Sequence, residues 1–326
     1  MKILLAIIIT ATLSFGCAML EGEQTTTDSG GGGTTAAPTG GGGSTPTVAV
    51  DSAVTGQRIS ASWNRMASNT CAIRSDKAAQ CWGSDSSGQS TIPSDLGTVS
   101  SISAGGYHTC VVKADDSVQC WGSSGNGLTT VPSDLGTVSS LSAGANHNCA
   151  IKTDGTAQCW GSDSSGQSTI PADLGTISAI SVGEYHTCAV KTDGTAQCWG
   201  SDSYSNVPNN LGNVTSISTS LSTCVIKTDG TAQCWGSDIQ SDFPADLGTI
   251  KSISVGYLHA CAIKLNGIAQ CWGRDGSGQS SVPADLGTVS EIDAGYEHTC
   301  AIKTNGAAEC WGADYSGQST IPADFH

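Results

Sequence analysis

The chain has 326 residues, with 42 Gly, only three Phe and a formal charge of −15. Few large apolar residues and much Gly disfavour a core of long helices and suit many short strands joined by tight turns. Thirteen basic residues stand against 28 acidic ones and are scattered almost singly, which argues against nucleic acid, because phosphate binding needs clustered Lys and Arg.

In chain order, the first predicted element is an export signal. Met1-Lys2 precedes an apolar run from Ile3 to Leu13, followed by Ser14-Phe15-Gly16-Cys17. The run is too short to remain in a bilayer as a spanning helix. Gly16-Cys17 resembles a bacterial lipobox, in which the Cys is lipidated and becomes the N-terminus. Ser14 stands where a branched apolar residue is usual, and ordinary cleavage after Ala18 is the alternative. Residues 1–17 are thus read as the signal and residues 18–53 as a tether. The tether carries pure glycine runs at Gly30 to Gly33 and Gly40 to Gly43, and such a segment cannot bury enough apolar surface to order itself. Membrane attachment is expected through the lipid anchor only.

Residues 54–326 repeat. Seven cysteine pairs recur: Cys71 with Cys81, Cys110 with Cys120, Cys149 with Cys159, Cys188 with Cys198, Cys224 with Cys234, Cys261 with Cys271 and Cys300 with Cys310. The partners are ten residues apart, and each second Cys is followed by Trp-Gly. Units are spaced by 39 residues in most cases, and by 36 and 37 around units four and five. An exported chain with an even number of body cysteines implies disulfides. In unit three, Thr153-Asp154-Gly155 between two strand-like runs reads as a three-residue hairpin loop with Gly in the left-handed region. That loop pairs Lys152 with Thr156, Ile151 with Ala157 and Cys149 with Cys159, the last at a non-hydrogen-bonded site where the Cα atoms are closest. Zinc suits this spacing less, since its paired cysteines are usually separated by two to four residues.

Alternation sends Cys149, Ile151, Ala157 and Cys159 to one face of the hairpin, and Ala150, Lys152, Gln158 and Trp160 to the other. Both faces carry apolar groups, so each hairpin needs a neighbour on both sides. Blades stacked around an axis provide that. The predicted fold is therefore all-β, a seven-bladed β-propeller with about four short strands per blade. Ring closure is expected from the N-terminal strand around Ile59-Ser60-Ala61, completing the last blade.

The run Gly183-Glu184-Tyr185-His186-Thr187-Cys188-Ala189-Val190-Lys191, then Asp193-Gly194 and Cys198-Trp199-Gly200, resembles the repeat of the regulator of chromosome condensation superfamily. Gly-Gln follows at Gly88-Gln89, Gly166-Gln167, Gly278-Gln279 and Gly317-Gln318. The resemblance covers residues 54–326 and implies a seven-bladed propeller. The segments Gly166 to Asp173 and Gly278 to Asp285 are similar to the secreted bacterial branch that contains a β-lactamase inhibitory protein. Fold alone does not carry function across.

His108, His147, His186, His259 and His298 recur at one place, with Asn69 and Ser222 in the other two units. They read as structural residues bonded to backbone. Asp85, Asp163, Asp275 and Asp314 read as turn formers rather than calcium ligands, and the seven Trp residues as blade packing. No catalytic motif, cofactor fingerprint or metal set is present, so no enzyme and no cofactor are expected. Just before the His the residues vary: Tyr107, Asn146, Tyr185, Leu221, Tyr257 and Tyr296. These are the candidate binding residues, since exposed Tyr suits a protein-binding face. The expectation is a monomeric, surface-tethered, non-catalytic propeller of the bacterial cell envelope with a protein or envelope partner. A carbohydrate- or ion-binding propeller and a purely structural envelope protein are the alternatives.

Overall fold

The hairpin loops set the architecture. In the computed structural model, Lys152 N–H donates to Thr156 O at 2.8 Å and Gly155 takes φ +83°. Ile151 then faces Ala157, and Cys149 faces Cys159. Units one and two lack Gly at the loop, and Lys77 and Asp116 adopt the left-handed conformation instead.

Each disulfide closes across such a pair, with the Cα atoms 4.0–4.1 Å apart. Cys71 bonds Cys81, Cys110 bonds Cys120, Cys149 bonds Cys159 and Cys188 bonds Cys198. In the last three units Cys224 bonds Cys234, Cys261 bonds Cys271 and Cys300 bonds Cys310. The sequence reading treats the two members of a pair alike, and in this the structure differs. The first Cys of every pair is fully buried. Its partner (Cys81, Cys120, Cys159, Cys198, Cys234, Cys271 or Cys310) is only partly buried. The second Cys lies on the last strand of its sheet, which has a hydrogen-bonded neighbour on one side only.

The structure describes residues 57–201, 203–236, 239 and 242–325. The expected export signal, Cys17 lipidation site and tether lie outside the described residues. Seven three-stranded antiparallel sheets follow in chain order. They are β1–β3 (Ile59–Ala61, Asn69–Ile73, Ala79–Gly83), β4–β6 (Val99–Ala104, His108–Lys113, Val118–Gly122) and β7–β9 (Val138–Ala143, His147–Lys152, Ala157–Gly161). Next come β10–β12 (Ile177–Val182, His186–Lys191, Ala196–Gly200) and β13–β15 (Val214–Thr219, Ser222–Lys227, Ala232–Gly236). The last are β16–β18 (Ile250–Val255, His259–Lys264, Ala269–Gly273) and β19–β21 (Val289–Ala294, His298–Lys303, Ala308–Gly312). Each blade has three strands, not the expected four. The Pro-containing segment after each Trp-Gly runs as turns, and it fills the gap between blades with an apolar pair such as Ile170 and Leu174.

The two-faced hairpin packs as its alternation requires. Cys149 and Ile151 bury against Leu174, Ile177, Ile180 and Trp199 of the following blade side, whereas Ala150 and Trp160, with Leu141 of their own blade, bury against Cys110 and Val112 of the preceding one. The core is thus a ring of seven interblade layers.

Closure differs from the sequence expectation. β1 pairs with β2 of the first blade, Ile59 opposite Ala72, and so does not complete the last sheet. The seam is filled instead by the C-terminal segment. Ile321 and Phe325 occupy the place that Ile92 and Leu96 take at the next interface, and Phe325 meets Trp82 edge-on at 5.8 Å. β2 is the nearer partner of β1 in the chain, and the last sheet holds only its own three strands, β19, β20 and β21.

Candidate functional site

Register places the loops. His186 pairs with Gly200 at one end of the β11–β12 hairpin, and Val190 pairs with Ala196 beside the turn at the other. The loop before each His and the loop after each Trp-Gly therefore leave the same end of the blade. Ser201 N–H donates to Tyr185 O at 2.9 Å and ties the two together. Gly200 makes this crossing feasible: it adopts φ +108°, and a Cβ there would lie 2.6 Å from Tyr185 O.

All six candidate residues stand at this end. Tyr107 and Tyr185 are exposed, and Asn146, Leu221, Tyr257 and Tyr296 are partly buried. Tyr257 and Tyr296, from adjacent blades, stack with centroids 4.2 Å apart. Burial, then the Tyr257 hydroxyl, raises the Tyr296 phenol above its ordinary range. Tyr185 is raised too, first by its bond to Glu184, and it stacks on Tyr204 at 6.4 Å. Tyr107, Asn146 and Leu221 share the face but have no aromatic partner among the described residues.

Sequence reasoning missed four members of this face. Tyr204 and Tyr315 lie in loops that follow Trp-Gly, and Tyr315 reaches Ser277 Oγ of the neighbouring blade at 3.1 Å. Trp63 and Met66 lie in the longer loop that replaces Gly-Gly-Tyr in the first blade, and Met66 is 86% exposed. All six tyrosines of the chain thus fall at one end. The opposite end carries the hairpin turns, with Asp154, Asp193 and Asp229 held by their own Thr at 2.6 Å.

The five histidines are structural, but their partners are not backbone as expected. Each Nε2 bonds a side chain of the next blade: Asn148 Oδ1, Thr187, Thr223, Thr299 and Thr70 Oγ1, at 2.6–3.1 Å. Those Thr hydroxyls mostly donate onward to the carbonyl after the Gly of the preceding loop, as Thr187 does to Gln167 O at 2.8 Å. Burial holds all five imidazoles well down, at about 3 to 4, and so neutral. The loop aspartates act as turn formers: Asp163 accepts from Ser168 N, Thr169 N and Thr169 Oγ1 at 2.6–3.0 Å. Among the described residues no three His, Cys, Asp or Glu side chains gather as a metal set.

Along the axis the inner strands enclose a cavity of about 300 Å³. Its wall includes Trp63 toward the tyrosine end, and Ser142, Ser181, Ser218, Ser254 and Asp293 at one depth.

Five stretches of the chain, residues 99–128, 138–167, 177–206, 250–279 and 289–318, match the model of the regulator of chromosome condensation (RCC1) repeat. A search of curated protein sequences finds no match. Among solved structures, the CRINKLY WD40 ectodomain of the Arabidopsis thaliana receptor kinase ACR4 superposes with a TM-score of 0.69 at 22% identity, over 80% of this chain and 96% of that one. The ectodomain of the Physcomitrella patens receptor kinase CR4 gives 0.67 at 24% identity, over 79% of this chain and 73% of that one. Prp20p of Saccharomyces cerevisiae, whose binding to Gsp1p and histones is described with its structure, gives 0.62 at 16%, over 82% and 84%. These likenesses agree with the blade geometry: residues 57–325 fold as a seven-bladed propeller, and five stretches of it match the regulator of chromosome condensation repeat.

Proposed function

We propose that this propeller is a non-catalytic, monomeric protein-binding module of the bacterial cell envelope, held by a lipid on Cys17 through the tether of residues 18–53. The observation that carries the binding reading is the gathering of all six tyrosines, with Trp63 and Met66, at one end of the ring. Tyr offers large contact area with few rotatable bonds, and such residues anchor interfaces. Yeast RCC1 (Prp20), a similar propeller, is seen bound to the protein Kap60. Seven disulfides require an oxidising compartment, as export supplies. A charge of −15 points the partner away from nucleic acid.

The experiment is a pull-down from envelope extracts with the full chain and with the quadruple variant Tyr107→Ser, Tyr185→Ser, Tyr257→Ser, Tyr296→Ser. The variant is expected to keep its seven disulfides and lose binding by about 30-fold or more, as loss of about 2 kcal/mol of anchoring implies. Unchanged affinity for a captured partner overturns the reading. Capture of glycan rather than protein favours the carbohydrate alternative. In the same material Cys17→Ser should release the chain from membranes, and retention there counts against the anchor.

A further inference from the structure

Six of the seven inner strands place a serine at one register position: Ser60, Ser103, Ser142, Ser181, Ser218 and Ser254. The seventh, β19, places Asp293 there. Each serine Oγ accepts the inner-strand amide of the next blade at 2.9–3.1 Å, from Ala104, Ala143, Val182, Thr219, Val255 and Ala294 in turn. At the seam Asp293 Oδ2 accepts Ala61 N at 2.8 Å, and Oδ1 accepts Ser254 Oγ at 2.8 Å. A hydroxyl makes the same bond at six interfaces, so the ring does not require the charge of Asp293.

The same cavity wall carries one basic side chain, Lys251, three positions before Ser254 on β16. Among the described residues no basic side chain forms an ion pair with Asp293. Burial pushes its carboxyl up to about 6. A carboxylate withdrawn from water without a cation is costly, and a cation arriving in the cavity relieves that cost. The wall selects the kind of cation. At the depth of Asp293 it offers serine oxygens that, except for Ser181 Oγ with its second bond from Thr219 Oγ1, keep a lone pair beyond the one that the amide uses, which suit N–H donors. One residue along, six of the seven inner strands add an aliphatic residue to the wall: Ile59, Leu141, Ile180, Ile217, Ile253 and Ile292. A second carboxylate, Glu291, precedes Asp293 by two residues on β19, about 7 Å along the strand.

We infer that the axial cavity is a binding site for an alkylammonium group, with its N–H bonds directed to Asp293 and the serine ring and its carbon chain against the apolar wall. The group is either a free linear amine or the side chain of a lysine presented at the tyrosine end. The inference stands on the cavity alone and does not rest on the tyrosine face.

The test is isothermal titration calorimetry on the disulfide-intact full chain at pH 7.5, with n-butylammonium chloride and, separately, N-acetyl-lysine methylamide. Saturable one-to-one binding is expected, with n-butanol silent and sodium failing to compete. Asp293→Ser copies the other six strands, so it should fold, and it should weaken binding at least tenfold. Asp293→Asn, with unchanged near-ultraviolet circular dichroism, is the second variant and should do the same. Binding of the butylammonium alone assigns a free amine, and binding of the lysine derivative alone assigns a partner's side chain. Binding of both shows that the ammonium suffices, and all three outcomes uphold the site. Absence of saturable binding by either amine, affinity within twofold in both variants, or equal displacement by sodium overturns it. None of these outcomes depends on the tyrosine variant.

Discussion

At the residue scale, the repeated Trp-Gly pair is a geometric requirement. Gly200 combines φ +108° with backbone 2.6 Å from where a Cβ would sit, whereas Gly88 takes φ +77° with open space around it. Gly200→Ala should therefore cost about 2 kcal/mol or more in urea unfolding, and Gly88→Ala only about 1 kcal/mol, the penalty of the left-handed backbone alone. Equal losses would mean that the close approach to Tyr185 is not what fixes this glycine. The sequence showed which residues recur but not what they touch. His186 was visible as a repeated residue, yet its partner, Thr223, lies in the next blade, 37 positions away. Asp293 was equally visible as the one acid in a column of serines. Its meaning needs the ring, because only there does its carboxylate face a cavity.

At the element scale, the hairpins were legible in full. Their pairing follows from a three-residue loop and a ten-residue cysteine spacing, both local. The unequal burial of the two cysteines was not legible, because it depends on which strand ends the sheet. The number of strands per blade and the manner of closure were not legible either. Both depend on contacts between residues far apart in the chain, such as Thr70 Oγ1 with Gln318 O at 2.8 Å. The C-terminal segment bears the seam: Trp82 Nε1 donates to Gln318 O at 2.9 Å, and Gln80 Nε2 donates to Asp324 Oδ1 at 2.9 Å. Phe325 is buried against Trp82 and the last hairpin. Phe325→Ala is expected to cost about 3 kcal/mol, and a calorimetric melt at unchanged disulfide content checks it. A melting temperature equal to that of the unaltered chain would remove the tail from the closure.

At the scale of the whole molecule, seven tandem units with two-faced hairpins made the propeller legible, since local repetition fixes the neighbour relation. The binding face was half legible. Tyr107, Tyr185, Tyr257 and Tyr296 occupy, or lie one place from, the same position in the loop before the His, while Tyr204 and Tyr315 come from a second loop that only the register brings to the same end. The ring also sums its titrating groups. Five histidines fall from 6.5 to about 3 to 4 on folding, so their stabilising share is full above pH 6.5 and is lost as pH drops toward 4. Asp293 rises to about 6, so its share is present at low pH and is lost as pH rises through 6. At about 3 kcal/mol for each group, five outweigh one. The melting temperature should therefore fall from pH 6.5 to pH 4, and more steeply in Asp293→Ser; a flat profile would deny that the imidazoles are buried neutral. The disulfides have a different consequence. They lie within hairpins, so no covalent bond crosses the seam, and a pull on the two chain ends would open the ring there like a split washer. Beyond that point each cross-link withholds ten residues of every 39-residue unit from extension. An oxidised blade would lengthen by about 100 Å and a reduced one by about 130 Å, at about 3.4 Å per residue. The redox state of the surroundings thereby sets how far the molecule can stretch before it breaks.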